Sequence, residues 1–290
     1  MDQIKFKNKF DKINSFAKIN FSLNVINRLP NNYHTIESLV TFVKLSDIIY
    51  IKLIKDKKHF ISFSGKFSKN IKKNNTISKL LKVLDEKKLL NNSKFKIKVI
   101  KNIPQKSGMG GGSMNAATLL NYFFQKKLIR ISFKEIYKIA YSIGSDVALG
   151  LQKKNTILFS NKKVKKLKLK TKFHVLLVKP NINYSTQLIY SKVKEYSKQK
   201  YKYNHKRYFS REYLITSKND LEKIVLNKYP KIKSLKFFLE TLPGLIFVRM
   251  TGSGSTIVAY FKSKKVLDIA TRIFKRQYGN YYWSIKSITI

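Results

Sequence analysis

Residues 102–127 read NIPQKSGMGGGSMNAATLLNYFFQKK, and this stretch decides how the rest of the chain is interpreted. The 290 residues include eleven glycines, and four of these lie between Gly108 and Gly112. A strand pattern precedes the glycines and a helical pattern follows them, so backbone N–H groups would collect at a helix N-terminus. Such a terminus favours an anion, and glycine lets the backbone approach it closely. A phosphate cradle is one interpretation, and a structural turn is the other.

Two common phosphate-binding motifs do not fit this loop. A Walker A loop needs a Lys-Ser/Thr pair after its last glycine, whereas Lys106 and Ser107 precede the run. A dinucleotide fingerprint needs an acidic residue about twenty positions further on, and residues 129–134 contain none. The helix after the loop is predicted to be capped by Ser113 and to run to about Lys126. The local pattern therefore leaves the anion unnamed.

The chain is strongly basic, with 61 Lys+Arg against 15 Asp+Glu and a formal net charge of +46. One interpretation is a nucleic-acid binder, because phosphate contacts give charge-driven affinity. The lysines are nevertheless spread over every segment together with many Asn and Ile, as expected of an AT-rich genome encoding an ordinary protein. This distribution favours a protein with no specific nucleic-acid partner, although the charge would attract anionic substrates.

Composition also excludes several classes of protein. The chain has no cysteine, which rules out a disulfide framework and a thiolate zinc site. No segment approaches the roughly 20 apolar residues that span a bilayer, and residues 1–16 do not resemble a secretory signal. The four histidines are scattered, so we predict no metal site from His34, His59, His174 and His205. We expect a soluble, cytoplasmic chain with no membrane partner, as a monomer or weak homodimer.

Strand and helix patterns mix in both halves of the chain, which predicts an α+β fold with domains at 1–165 and 166–290. Alternating or β-branched patterns predict strands at 17–28, 34–45, 46–54, 59–65, 95–104, 173–180, 244–250, 255–261 and 281–290. Helical spacing predicts helices at 75–88, 113–126, 132–143, 218–229, 232–242 and 263–274. The lysine-rich run 161–172 is predicted to be an exposed hairpin or a linker, and 191–213 a helix end with a mobile loop.

Two charged residues stand in unusual places. Asp146 follows Gly144, which ends a predicted helix, and precedes an apolar run, a setting that favours burial near a loop. Lys18 interrupts the apolar strand FAKINFSL, where an ammonium group needs a partner. A buried Asp–Lys pair beside a phosphate loop would suit phosphoryl transfer, but a purely structural ion pair is the alternative.

Three stretches together resemble the motifs of GHMP-type small-molecule kinases: AKINFSLNVINRLPNNYHTIESL (17–39), PQKSGMGGGSMNAATLL (104–120) and RMTGSGSTIVAYF (249–261). AKIN followed by NYH looks most similar to the branch that phosphorylates 4-diphosphocytidyl-2-C-methyl-D-erythritol. GSDV (144–147) and NDLE (219–222) follow in the expected order. The resemblance implies a two-domain fold, with an N-terminal ribosomal-protein-like α/β domain and a C-terminal ferredoxin-like α+β domain. It also implies transfer of the ATP γ-phosphoryl group to the substrate's 2-hydroxyl, with magnesium.

The same resemblance implies roles for individual residues. Asp146 would accept the hydroxyl proton, and Lys18 would favour the developing alkoxide. The ATP site would comprise Pro104, Ser107, Gly108, Met109, Gly110, Gly111, Gly112, Ser113 and Asn115, with Asn75 and Lys101. The substrate site would comprise Asn20, Tyr33, His34, Thr186, Tyr190, Gly252 and Gly254. The alternatives are that Tyr33 only packs and that TGSG is a hairpin turn.

The sequence departs from the family pattern at two places. Relatives usually carry Ser-Ser-Asn-Ala-Ala after the glycines, where this chain has Met114 as the second residue, so a phosphate or magnesium contact could be lost. After GSDV they usually carry Pro-Phe and a Gly-Gly turn, replaced here by ALGLQKKNTILF. Two other functions remain open: another GHMP kinase of the homoserine or mevalonate type, and an inactive relative that binds RNA.

Overall fold

A computed structural model describes residues 9–167, 172–202 and 206–290. His205 and part of the lysine-rich run, residues 168–171, lie outside these ranges. The described residues divide into two compact units. The first comprises the residues through Ala17, Leu45–Gln105 and Gly110–Gln152, and the second comprises Lys18–Lys44, Lys106–Met109 and Lys153–Ile290. These compact units are not the predicted family domains, and the predicted domain boundary between residues 165 and 166 stays a prediction.

Two long strands, β1 (Asp11–Arg28) and β2 (His34–Ile54), contribute residues to both units. In the first unit, β4 (Lys94–Ile100) pairs antiparallel with β2 and parallel with β3 (Phe60–Ser64). The helices of this unit are α1 (Thr76–Glu86), α2 (Gly111–Gln125), α3 (Phe133–Ile143) and α4 (Ser145–Gly150).

The core of the first unit forms between these helices and strands, on the helix faces that the spacing predicts. Helix α1 buries Ile77, Leu80, Leu81 and Leu84, and α2 buries Ala116, Leu119, Leu120 and Phe123. These positions recur every three to four residues and therefore form one side of each helix. Burying each large apolar side chain contributes about 1.5–3 kcal/mol before entropy is counted.

The second unit contains an antiparallel sheet in the order β10–β7–β9–β8. Its strands are β7 (His174–Lys179), β8 (Leu245–Met250), β9 (Ile257–Phe261) and β10 (Trp283–Ile288). Strands β5 (Asn155–Leu158) and β6 (Val164–Leu167) form a hairpin, and β5 pairs antiparallel with β2. The helices are α5 (Thr186–Tyr190), α6 (Arg211–Thr216), α7 (Asp220–Lys228), α8 (Pro230–Glu240) and α9 (Lys264–Tyr278), with a 3₁₀ helix at Lys206–Phe209. Throughout the described part of the chain, no helix is both long and apolar enough to cross a lipid bilayer.

Three element predictions change in detail. The strands expected at 34–45 and 46–54 are the single strand β2, because no glycine or proline interrupts them. The described part of 161–172 is a turn and one strand of a hairpin, one of the two alternatives predicted, but that strand is half-buried and not exposed. Segment 191–213 contains the 3₁₀ helix and the start of α6, whose N-cap Ser210 was not predicted.

Candidate active site

Lys18 lies within β1, in the second unit, and is only 4 % exposed. Its Nζ donates to Asn20 Oδ1 at 2.8 Å, and its backbone N–H donates to the Met109 carbonyl at 3.1 Å. The Asn20 amide is fixed from both ends, because its Nδ2 donates to Ser38 Oγ at 2.8 Å and its Oδ1 accepts from Thr251 Oγ1 at 3.2 Å. A buried ammonium group needs such polar partners. The lysine is therefore held in one orientation beside the glycine loop.

Two glycine loops approach each other closely within the second unit. Gly108 and Gly252 both have left-handed backbones, with φ of 74° and 56°. A Cβ atom on Gly108 would lie 2.1 Å from the Thr251 carbonyl oxygen, and one on Gly252 would lie 2.9 Å from the Gly108 carbonyl oxygen. The Thr256 N–H also donates to the Ser107 carbonyl at 3.3 Å. Glycine is needed here because neither loop leaves room for a side chain.

Asn219 holds the second of these loops and was missed as a site residue. Its Nδ2 donates to the carbonyls of Met250 and Gly252, both at 2.8 Å, while its Oδ1 caps α7 by accepting from the Leu221 N–H. Glu222 accepts from the Met250 N–H, and burial raises the pKa of this carboxyl. Asn219 belongs to NDLE, whose position in the chain follows the family order but does not by itself indicate this contact.

An aromatic corner forms around His34 at the start of β2. The His34 ring lies 5.1 Å from Tyr190 and 6.4 Å from Tyr196, centroid to centroid. Burial and the nearby Arg28 charge lower the pKa of His34, so its neutral form prevails at pH 7. Its Nδ1 is buried and has no hydrogen-bond partner among the described residues. Tyr33, on the preceding turn, is 71 % exposed.

Thr186 and Gly254 lie at the other side of the second glycine loop. Thr186 Oγ1 is 2.9 Å from Ser253 Oγ, which joins the first turn of α5 to the loop. Gly254 has φ of 87°, and a Cβ atom there would lie 2.2 Å from the Tyr184 hydroxyl. The predicted substrate residues Thr186 and Gly254 thus belong to one packed loop region.

Helix α2 begins within the first unit. Gly110 is its N-cap in a left-handed conformation, with φ of 67° and no side-chain cap. The first helical bond runs from the Met114 N–H to the Gly110 carbonyl at 2.8 Å. The N–H groups of Gly111, Gly112 and Ser113 thus have no partner within the helix, as an anion site requires. The predicted cap at Ser113 is wrong, because glycine starts the helix and Ser113 is its third residue.

A buried ion pair supports this helix start. Lys101 Nζ pairs with Asp47, whose side chain is fully buried. The same carboxylate accepts from the N–H groups of Asn102 at 2.8 Å and Ile103 at 2.9 Å, and from Asn115 Nδ2 at 3.1 Å. Asp47 was not predicted as a site residue. Like Lys18, it is a charged residue inside an apolar strand, SDIIYIKLI, and that feature could have indicated it.

Asn75 and Pro104 flank the helix start differently. The Asn75 side chain caps α1 by accepting from the Ile77 N–H at 3.0 Å, so its amide serves the helix itself. Thr76 Oγ1 donates to the Gly112 carbonyl at 2.7 Å, which ties the start of α1 to the start of α2. Pro104 is buried at the entrance to the glycine loop. A nucleotide role for Asn75 and Pro104 stays a prediction.

Asp146 is the second residue of α4, whose N-cap is Gly144. It is half-buried at the start of a short helix, so the burial and the loop setting expected from the sequence are only partly right. Asp146 belongs to the first unit and Lys18 to the second. Their pairing stays a prediction.

The two departures from the family pattern pack against each other. Met114 is buried at 1 %, and its Sδ would lie 3.0 Å from a Cβ atom on Gly150. The same Cβ atom would lie 2.6 Å from Ala117 Cβ. The methionine therefore occupies space between α2 and α4 that glycine leaves open, which explains how both changes coexist.

The described residues include no group of three His, Asp or Glu side chains that could hold a metal ion by themselves. Magnesium bound to nucleotide phosphates needs few protein ligands, and these are oxygens. The Ser113 hydroxyl, in the first turn of α2, is an oxygen of that kind, so the helix start fits a magnesium ion held mainly by phosphate oxygens.

Comparison with known proteins places these features in context. The model of the GHMP kinases N terminal domain matches residues 75–154. A 4-diphosphocytidyl-2-C-methyl-D-erythritol kinase of Pelagibacter ubique is 55% identical over 279 residues, covering 96% of this chain and 99% of the relative. One from Petrotoga mobilis is 32% identical, covering 84% and 96%. A crystal structure of a 4-(cytidine 5'-diphospho)-2C-methyl-D-erythritol kinase shares the fold, with a TM-score of 0.78 at 20% identity over 97% of this chain and 100% of its own.

Proposed function

Because the chain belongs to the family of 4-diphosphocytidyl-2-C-methyl-D-erythritol kinases, with the GHMP kinase fold, we propose that it phosphorylates the 2-hydroxyl of that compound with ATP. The chain is a phosphotransferase, and the reaction would be a step of the non-mevalonate isoprenoid pathway. The observation that carries the proposal is the 55% identity over nearly the full length of a relative with that name.

The proposed step is a direct in-line transfer. The substrate hydroxyl loses its proton to Asp146, the oxygen forms a bond to the γ-phosphorus, and the bond to the β–γ bridging oxygen breaks. The electron pair of that bond leaves with ADP. Lys18 stabilises the negative charge that develops on the attacking oxygen. Burial of Lys18 and its fixed bond to Asn20 support this role, because a preorganised charge needs no rearrangement during the reaction.

The phosphates of ATP would bind at the start of α2. The N–H groups of Gly111, Gly112 and Ser113 have no partner within the helix, and the helix dipole adds partial positive charge. Ser113 would supply an oxygen ligand to magnesium, which when bound neutralises charge on the nucleotide phosphates.

The cytosine ring would bind beside His34, Tyr33 and Tyr190. A neutral imidazole offers one donor and one acceptor, which suits the polar edge of a base. The Tyr190 ring lies beside His34, and exposed Tyr33 has a face available for stacking. Stacking on an aromatic side chain contributes about 1–3 kcal/mol per base.

An assay coupled to ADP release tests the proposal with three alcohols: the cytidyl substrate, homoserine and mevalonate. We expect turnover with the cytidyl substrate at least about a hundredfold above the other two, because unpaired base-reading groups penalise the alternatives. Preference for homoserine or mevalonate would overturn the substrate assignment. An inactive RNA-binding relative would turn over none of the three.

A further inference from the structure

The proposed transfer mechanism gives no role to Asp47, although its buried carboxylate pairs with Lys101. We infer that Asp47 is a positioning residue for the phosphate groups of ATP, acting through Lys101, Asn115 and the backbone at residues 102–103. The inference rests on the proposed function, since it takes the anion at α2 to be ATP. Asp47 itself does not touch the nucleotide in this proposal.

A single carboxylate ties both sides of the glycine run together within the first unit. On the entry side it accepts from the N–H groups of Asn102 and Ile103 and pairs with Lys101. On the exit side it accepts from Asn115 Nδ2, in the second turn of α2. Because only the amide nitrogen of Asn115 can donate to a carboxylate, Asp47 also fixes the direction in which that amide points.

The groups that Asp47 holds form the wall beside the first residue of α2. A Cβ atom on Gly111 would lie 3.0 Å from Ile103 Cγ2 and 3.4 Å from Lys101 Nζ. The Lys101 ammonium group therefore lies against the helix start, where the free N–H groups are. A shift of the 101–103 segment would move this charge relative to the phosphates.

The charge balance explains why an acid is needed. The Lys101 side chain is 5 % exposed, and its ammonium group would be costly to bury without a partner. Asp47 supplies that partner and accepts further bonds that keep its own charge satisfied. The pair lets a positive group lie beside the helix start without destabilising the unit.

The test separates a structural role from positioning by comparing two charge-neutral double variants. Asp47→Asn/Lys101→Gln removes the proposed pair without leaving a buried charge. Asp85→Asn/Lys94→Gln removes a second, more exposed Asp–Lys pair of the same unit, with an N–O distance of 2.9 Å, as the control for losing an ion pair. Melting temperature, kcat, the KM of each substrate and the calorimetric Kd for ATP are measured for both.

We expect the Asp47 double variant to melt below the control, because Asp47 is fully buried and accepts three further hydrogen bonds. Its KM and Kd for ATP should rise about tenfold, and its KM for the alcohol should stay within about twofold of wild type. Asp47→Asn alone should also melt at a lower temperature, because it leaves Lys101 unpaired. Unchanged ATP affinity in a folded Asp47 double variant would overturn the inference. Asp47→Glu separates the role of Asp47 from the loss of Lys101, because it keeps both charges and displaces the carboxylate by one methylene group. It should also raise the Kd for ATP, and it decides alone if the double variant does not fold.

The binding measurement keeps this outcome separate from the proposed function. Absence of turnover with the cytidyl alcohol would refute the function, whereas the calorimetric Kd for ATP tests Asp47 without any alcohol. ATP binding equal in wild type and all Asp47 variants would refute the positioning role even if the kinase reaction proceeds.

Discussion

Replacing Gly108 with alanine is expected to damage both stability and catalysis. The new Cβ atom would lie 2.1 Å from the Thr251 carbonyl oxygen and 3.1 Å from the Gly254 nitrogen. The first distance is about 1 Å shorter than van der Waals contact allows, and the obstacle is backbone, which cannot rotate away. The two glycine loops must therefore move apart.

The size of the effect follows from two terms. A left-handed backbone costs a non-glycine residue about 1–2 kcal/mol, and Gly108 has φ of 74°. Forcing extra volume into a packed contact costs about 1–3 kcal/mol. Together they predict a loss of about 2–5 kcal/mol in the free energy of unfolding. Because the loop also holds Lys18 through the Met109 carbonyl, a displacement of about 1 Å should lower kcat about a hundredfold.

Urea unfolding followed by the fluorescence of Trp283, the single tryptophan, measures the first quantity in the unit that contains Gly108. The coupled ADP assay measures the second. Gly112→Ala is the stability control, because its Cβ atom would lie 3.4 Å from Thr76 Oγ1 and a helical alanine stabilises by about 0.5–1 kcal/mol. If Gly108→Ala were as stable and as active as wild type, the close contact between the loops would be refuted.

Three further outcomes are expected. Burial lowers the pKa of Lys166 from 10.5 to about 7. Between these pH values the unfolded chain binds more protons at this residue than the folded chain does, so the free energy of unfolding rises with pH. Urea titrations of Lys166→Met should lack that rise, and a parallel rise in both proteins would contradict the burial. Because burial lowers the pKa of His34 from its ordinary value of 6.5, any rise in the KM for the cytidyl substrate on acidification should have its midpoint below pH 6.5; a midpoint above 6.5 would show a different environment. Gly150→Ala would place a Cβ atom 2.6 Å from Ala117 Cβ and should cost about 1–3 kcal/mol, whereas Gly144→Ala, with its nearest contact at 3.7 Å, should cost less than about 0.5 kcal/mol. Equal melting temperatures for the two alanine variants would argue against the packing of α2 on α4.

Elements with a strong period could be predicted from the sequence. Ile77, Leu80 and Leu84 recur at helical spacing, and α1 packs that face into the hydrophobic core of the first unit. The start of α2 could not be placed as well, because serine is the commoner cap and a left-handed glycine is visible only in the backbone angles. That β2 is one long strand could be inferred only from the absence of a turn pattern within it, and such an absence is a weak signal.

The site was predictable only where a residue was unusual on its own. Lys18 stood out as a charge inside an apolar strand, and its burial with Asn20 agrees with that signal. Asp47 carried the same signal, but its partner Lys101 lies far along the chain, and spacing does not show that such residues meet. Asn219 was hidden for the same reason, because its contacts to Gly252 depend on tertiary packing.

The rate of Asp146→Asn with ATP and the cytidyl alcohol tests the proposed mechanism most directly. We expect kcat to fall at least about a thousandfold, because asparagine cannot accept the hydroxyl proton. The melting temperature should change little, since an acid in the first turn of a helix contributes only about 0.3–1 kcal/mol. A folded Asp146→Asn enzyme that keeps kcat within about tenfold of wild type would contradict the assignment of Asp146 as the base.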